Sequence, residues 1–125
     1  MNQWKMYIMI NNSVKMSKGK IAAQVAHGTE EMTKTLITQY PDIWNSYNHP
    51  MNVKCKICLR ANEEQMKKAR ELFPKNKSGE WCVPIFDAGA TQVPAGTNTV
   101  IVFCPFRKNL DNYQNGNYFS QFKLL

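Results

Sequence analysis

The sequence predicts an α/β domain built in three layers, and three observations carry that prediction. Stretches with strand character alternate with stretches of helical periodicity, in the order strand–helix–strand–helix–strand. The last apolar stretch, "NTVIVFCPF" (98–106), is nearly continuous, as in a strand covered on both faces. The 125 residues hold no repeat, low-complexity block or composition break, so one domain over 1–125 is expected.

Each element has its own warrant. "WKMYIMI" (4–10) is the first strand, rich in aromatic and apolar residues. The linker "NNSVKMS" leads to a helix from about Lys18 to Gln39, with Ser17 as its N-cap. Ile21, Val25, Met32 and Leu36 recur at helical spacing and form its buried stripe. Pro41 opens a short helix, "PDIWNSY", which Trp44 packs down, and "NHPMN" turns the chain. In the second strand (52–60), Val53, Cys55, Ile57 and Leu59 alternate with Lys54, Lys56, Cys58 and Arg60. A strand buried on both faces would not carry that basic row, so one face there is open or near an edge. Asn62 caps the next helix, with Gln65 three residues on and Glu63 and Glu64 at its positive end. Met66, Ala69, Leu72 and Phe73 make its apolar stripe, and Pro74 with "KNKSGE" ends it. "WCVPIFDAG" (81–89) is the third strand and 98–106 the fourth, central one. The polar, Asn-rich tail reads as a weak helix followed by an ordered terminus.

Composition narrows the function class. Lys+Arg 16 against Asp+Glu 9 gives +7, which favours a polyanionic partner such as RNA, because each neutralised phosphate releases counterions. A charge that serves only solubility would look the same. No apolar run approaches the roughly 20 residues needed to span a membrane. "MNQWKMYIMINN" has too short an apolar run, and no small-residue cleavage site, for a secretory leader. A soluble, cytoplasmic protein that does not engage a membrane is expected. Cys55 and Cys58 form a CxxC, yet strand period places residues three apart on opposite faces. No second pair completes a four-ligand set, so they read as packed or surface thiols, and no metal site is expected.

Two stretches carry candidate chemistry. "KMSKGKIAAQVAH" (15–27) sets a lysine pair around one glycine at a helix start. It is not a P-loop: no glycine lies five residues before Gly19, and Ile21 stands where a Mg²⁺-binding hydroxyl belongs. No GxGxxG follows the first strand either. What is left is a strand-to-helix corner where Gly19 gives close backbone access and free N–H groups favour anions. Lys20, Gln24, His27 and Glu31 share one polar stripe, either a solvated face or a site. A cation in the first turn is opposed by the helix dipole, so a nearby carboxylate or bound anion should offset it. In "FDAGATQVPAGTNT" (86–99), Asp87 ends an apolar strand just before a glycine, where α/β sheets place their sites. Thr91 and Gln92 follow in the loop. An aspartate that only braces the turn with its own side chain is the plainer alternative.

In order and spacing, "MSKGKIAAQVAH", "DAGATQVPAGT" and "VIVFCP", with the terminal "KLL", resemble the type II peptidyl-tRNA hydrolase family. That family's common patterns read M-G-K-G-K-x-A-A-Q and D-A-G-x-T-Q. The resemblance covers nearly the whole chain, with 107–120 the least similar part. It implies a four-stranded mixed sheet between helices, hence a three-layer α/β/α sandwich. It also implies hydrolysis of the ester joining a peptide to the terminal ribose of tRNA, freeing the tRNA for reuse, with no metal or organic cofactor. The positions matching the family's active site are Lys20, Asp87 and Thr91, with Gln24 on the same helix face. On this reading Asp87 orients or deprotonates water, and Lys20 stabilises the oxyanion or holds the carboxylate. Thr91 and Gln24 then fix water and carbonyl. The candidate substrate contacts are Lys15, Lys18, Gly19, His27, Gln92, Lys54, Lys56 and Arg60. Three departures stand out: Ser17 for the usual glycine, Ala90 where arginine or histidine is common, and "VPAG" (93–96) for "APG". The alternative is a catalytically silent tRNA- or protein-binding module on the same fold. Ala90 lends it weight, and the retained Lys20, Asp87 and Thr91 weigh against it. The sequence leaves a homodimer open.

Overall fold

A computed structural model describes residues 3–74, 80–89, 92–107 and 118–125. Its elements are β1 (Trp4–Asn11), α1 (Lys18–Gln39), α2 (Pro41–Tyr47), β2 (Cys55–Ala61), α3 (Glu63–Leu72), β3 (Cys82–Phe86), β4 (Asn98–Phe103) and β5 (Phe106–Arg107). The sheet runs β2-β1-β4-β3, with the two-residue β5 also pairing with β1. β1 is parallel to β2 and antiparallel to β4, which is antiparallel to β3. The implied mixed four-stranded sheet is therefore present, and β5 is the addition. This topology gathers the carboxyl ends of β1, β2 and β3, the amino end of β4 and the starts of α1 and α3 at one edge.

Three layers follow from where the strand faces look. Met6, Ile8, Ile10, Ile85, Val100 and Val102 pack against α1 and α2 through Met32, Leu36 and Tyr47. Met9, Leu59, Ile101 and Phe103 pack on the other face against Met66, Ala69, Phe73 and Phe119. Every residue of β4 is buried, as a central strand requires. α1 lies close on the sheet at Gly28, where a Cβ would come within 2.6 Å of Val102 Cγ2. Ile21 and Val25 are only partly buried but pack on the same cluster, as does Trp44.

Several boundaries differ from the sequence reading, each for a physical reason. β2 starts at Cys55 because Lys54 takes φ 55°, outside strand geometry. β3 stops at Phe86, after a register shift between Ile85 and Phe86. β4 stops at Phe103: Pro105 has no N–H for the ladder, and the chain resumes pairing as β5 on β1. Leu72 is 45% exposed, and so is not part of the α3 stripe. At about 100° per residue, six positions beyond Met66 leave it about 120° off the buried direction. Residues 108–117 of the tail lie outside the described residues. After them Phe119 is buried, and Leu124 bridges to Leu59, so the terminus lines the β2 edge. No helix among the described residues is long and apolar enough to cross a membrane.

Candidate active site at the carboxyl edge of the sheet

The first turn of α1 creates an electrostatic problem that another part of the chain solves. Ser17 has extended backbone and its hydroxyl oxygen accepts the Lys20 N–H at 3.1 Å, capping the helix. No acidic residue lies in this turn. Lys20 instead donates from Nζ to Asp87 Oδ1 at 2.5 Å, 67 residues along the chain. The two side chains are only 11% and 7% exposed.

Asp87 follows β3 directly and is fixed by its own loop. Its N–H donates to the Thr97 carbonyl and its carbonyl accepts from Gly96 N–H, both at 2.8 Å. Oδ2 accepts the Gly89 N–H at 2.6 Å. That reach needs Gly89 at φ 81°, where a Cβ would stand 2.6 Å from the Ala95 nitrogen. The hydrogen bond from Lys20, then the one from Gly89, holds the Asp87 carboxyl below its ordinary 3.8, against the opposing pull of burial. The turn-bracing alternative is thus half of the account: Oδ2 braces the turn, while Oδ1 faces Lys20.

One turn further along α1, Gln24 Oε1 accepts a 2.5 Å hydrogen bond from Thr99 Oγ1. Thr99 is fully buried, so its hydroxyl needs this partner. The contact leaves the amide nitrogen of Gln24 as the donor end. A second tie joins the same two regions. Gln92 Oε1 accepts Ser17 N–H at 2.7 Å, and Gln92 Nε2 donates to Ser17 Oγ at 2.9 Å. Gln92 holds φ 26° to make this reciprocal clasp.

Beneath the site, buried amides lock the start of β4. Asn98 donates to the Ile85 and Val100 carbonyls and accepts from Arg70 Nη1 at 2.7 Å. Asn11 donates to the Asn98 carbonyl at 2.9 Å and to Glu63 Oε2 at 2.6 Å. The network reaches from α3 to the residue before Thr99.

Residues 4–124 match the family described as Peptidyl-tRNA hydrolase PTH2. The chain belongs to that family. It is 31% identical over 121 residues to a protein of Thermococcus onnurineus named peptidyl-tRNA hydrolase, covering 94% of this chain and 97% of that one. A Saccharolobus solfataricus protein of the same name is 32% identical over 110 residues, 85% of this chain and 89% of that one. A probable peptidyl-tRNA hydrolase 2 of Drosophila melanogaster is 32% identical over 105 residues. There the match covers 83% of this chain but 54% of the longer fly protein, so the chain spans about half of that relative.

Of the residues singled out from sequence in this PTH2 chain, Ser17, Lys20, Gln24, Asp87 and Gln92 come together. Lys15, Lys18 and Gly19 are exposed around the mouth of α1. His27 is exposed further along that helix, so the polar stripe enters the site only at Lys20 and Gln24. Lys54, Lys56 and Arg60 lie at the other side of the sheet, with β1 and β4 between β2 and β3, about 15 Å at ordinary strand spacing. There Lys54 Nζ donates to Asn48 Oδ1, Lys56 sits over the Tyr47 ring, and Arg60 Nε donates to the Leu124 carbonyl. Ala90 and Thr91 lie outside the described residues. Sequence reasoning missed Thr99, Asn98 and Asn11. The available signal was polarity inside buried strands, where each such group must find a partner.

Proposed function

We propose that this chain hydrolyses the ester between a peptide and the terminal ribose of tRNA, with the Lys20–Asp87 pair at the reacting carbonyl. The observation that carries the reading is that pair, assembled from the two family motifs at a sheet edge where α/β folds place ligands. Water adds to the ester carbonyl and gives up a proton to solvent, the tetrahedral oxyanion collapses as the bond to the ribose oxygen breaks, and that oxygen takes a proton back from solvent. The products are a peptide acid and free tRNA. A carboxyl held below 3.8 is a weak base, so Asp87 orients water and Lys20 rather than drawing off the proton. Lys20 stabilises the oxyanion. The amide nitrogen of Gln24, aimed by Thr99, donates to the carbonyl or to water. Thr91, outside the described residues, joins them on the family motif alone.

Lys15, Lys18, Gly19 and His27 are the substrate contacts nearest the pair. Gln92, engaged at both ends of its amide by Ser17, acts by holding the loop. Lys54, Lys56 and Arg60 can reach only the body of the tRNA. The reading places the reaction in the cytoplasm. It is compatible with a homodimer, which sedimentation at assay concentration decides.

The test is single-turnover release of peptide from N-acyl-aminoacyl-tRNA beside a free aminoacyl-tRNA control. Cleavage of the first alone is expected, lost in Lys20→Ala and Asp87→Ala. Near-wild-type rates in both variants would sink the assignment, and binding without cleavage would favour the silent tRNA-binding module.

A further inference from the structure

The Lys20–Asp87 pair stands at the end of a longer track. β3, the strand that leads into Asp87, is an edge strand. Its odd-numbered residues turn their backbone groups to β4: the Trp81 carbonyl accepts from Cys104 N–H at 3.0 Å, and the Asp87 N–H donates to the Thr97 carbonyl at 2.8 Å. Alternation therefore turns the backbone groups of Cys82, Pro84 and Phe86 to the open side. Pro84 has no N–H to give there, which blunts the edge against a second sheet. It leaves the Pro84 carbonyl and the Phe86 N–H, both close to Asp87. A cleft runs along this edge, walled by Glu31 and Thr35 of α1 and by Arg70 and Phe73 of α3, with Val83 and Pro84 between them. α1 joins that cleft to the pair. Lys20, Gln24, Glu31 and Thr35 fall within about 60° of one another around the helix, and all four are half-buried. The two tracks agree in length: α1 from Lys20 to Glu31 and the chain from Asp87 back to Cys82 each span about 16 Å.

We propose that the peptide of the substrate lies along this edge as an added strand, parallel to β3, with its ester end at the Lys20–Asp87 pair. The proposal rests on the hydrolase reading, which puts the reacting carbonyl at that pair. The ester is at the carboxyl end of the peptide, so the peptide runs towards Asp87 in the same direction as β3. With the ester-bearing residue level with Asp87, the third residue from the ester is level with Ile85. Its N–H then donates to the Pro84 carbonyl and its carbonyl accepts from the Phe86 N–H, the pattern of a parallel pair. Main-chain bonds of this kind hold a peptide whatever its side chains. Glu31 and Arg70 line the cleft from opposite walls, so their charges offset each other and do not favour a polyanion. A peptide backbone suits that setting and an RNA strand does not. The α3 wall is held in place, because Arg70 Nη1 donates to Asn98 Oδ1 at 2.7 Å.

The probe is a fluorescent hairpin RNA ending in the tRNA 3′ sequence and joined to peptides of one to six residues by an amide in place of the ester, with the bare RNA as control. Affinity, read by anisotropy, should rise at least about tenfold from one residue to five and then level off, the scale of one or two hydrogen bonds. Methylating the backbone nitrogen of the third residue from the RNA should weaken binding about tenfold. The same change at the second residue should leave it within about twofold, since that N–H points away from β3. Thr35→Trp, which fills the cleft, should erase the gain with length, and thermal unfolding confirms that its fold is intact. Affinity independent of length overturns the added strand, as do equal effects of the two methylations. A full gain in folded Thr35→Trp overturns it too, and so does an equal loss of bare RNA in that variant, which would assign the cleft to RNA. The binding arm needs no catalysis. A chain that binds in the expected pattern but leaves ester-linked peptide uncleaved sinks the hydrolase reading alone. One that cleaves the ester but binds every peptide length alike sinks the added strand alone.

Discussion

Two helices start at the same edge of the sheet and are built by opposite rules. α3 follows local electrostatics: Asn62 and Gln65 form a reciprocal capping box, and Glu63 and Glu64 sit in the positive first turn. α1 has no acid in its first turn and places Lys18 and Lys20 there instead. Its cap, Ser17, is tied to Gln92, and Lys20 to Asp87, both on a distant loop. A helix whose first turn is capped and charge-balanced mainly by its own residues is a structural support. One whose end is completed from 67 residues away ties two distant stretches of the chain together.

That contrast breaks if changes at the two ends behave alike. Lys20→Met should slow single-turnover hydrolysis at least about 100-fold, the scale of losing a preorganised oxyanion donor. Glu63→Gln at the other helix should leave the rate within about twofold and lower stability by about 0.5 kcal/mol, measured by urea unfolding. Next in size is Ser17→Ala, which removes the oxygen that accepts both the Lys20 N–H and the Gln92 amide. It should cost about 1 kcal/mol of stability. Turnover should slow about tenfold, since small misplacements of reacting groups are costly. Asn62→Ala should cost about the same 1 kcal/mol with no change in rate, which separates a cap from a clasp.

The smallest effect is in pH dependence. The folded Asp87 carboxyl lies below its ordinary value, so its contribution is present above about pH 4 and lost as pH falls through the lowered value. The stability gap between wild type and Asp87→Asn should be wider at pH 7 than at pH 3 in urea titrations. A gap that does not narrow in acid would remove the ion pair as its source.

Local signals made the helices legible and left the site half read. The bounds of α1, the Ser17 cap and the Asn62–Gln65 box are written in residues within a turn of one another. The need of Lys20 for a counter-charge was also local, and the match of two motifs pointed to Asp87. The Gln24–Thr99 and Ser17–Gln92 contacts each join residues 75 apart and leave no periodic trace. Leu72 misled because apolar character was read without its angle on the helix. Lys54 misled because alternation continues through a residue whose backbone has left the strand.

The sheet order has a consequence during synthesis. β1, the first strand made, lies between β2 and β4, and β4 begins only at Asn98. As the chain leaves a ribosome, β1 can pair early with β2, but its other side must wait for most of the polypeptide. Thr99 and the clasping Gln92 arrive in that same late stretch. Pairing of such high contact order closes slowly. The edge that carries the Lys20–Asp87 pair is therefore among the last parts to be assembled, and a nascent chain halted before β4 holds both residues without the strand that sets them in register.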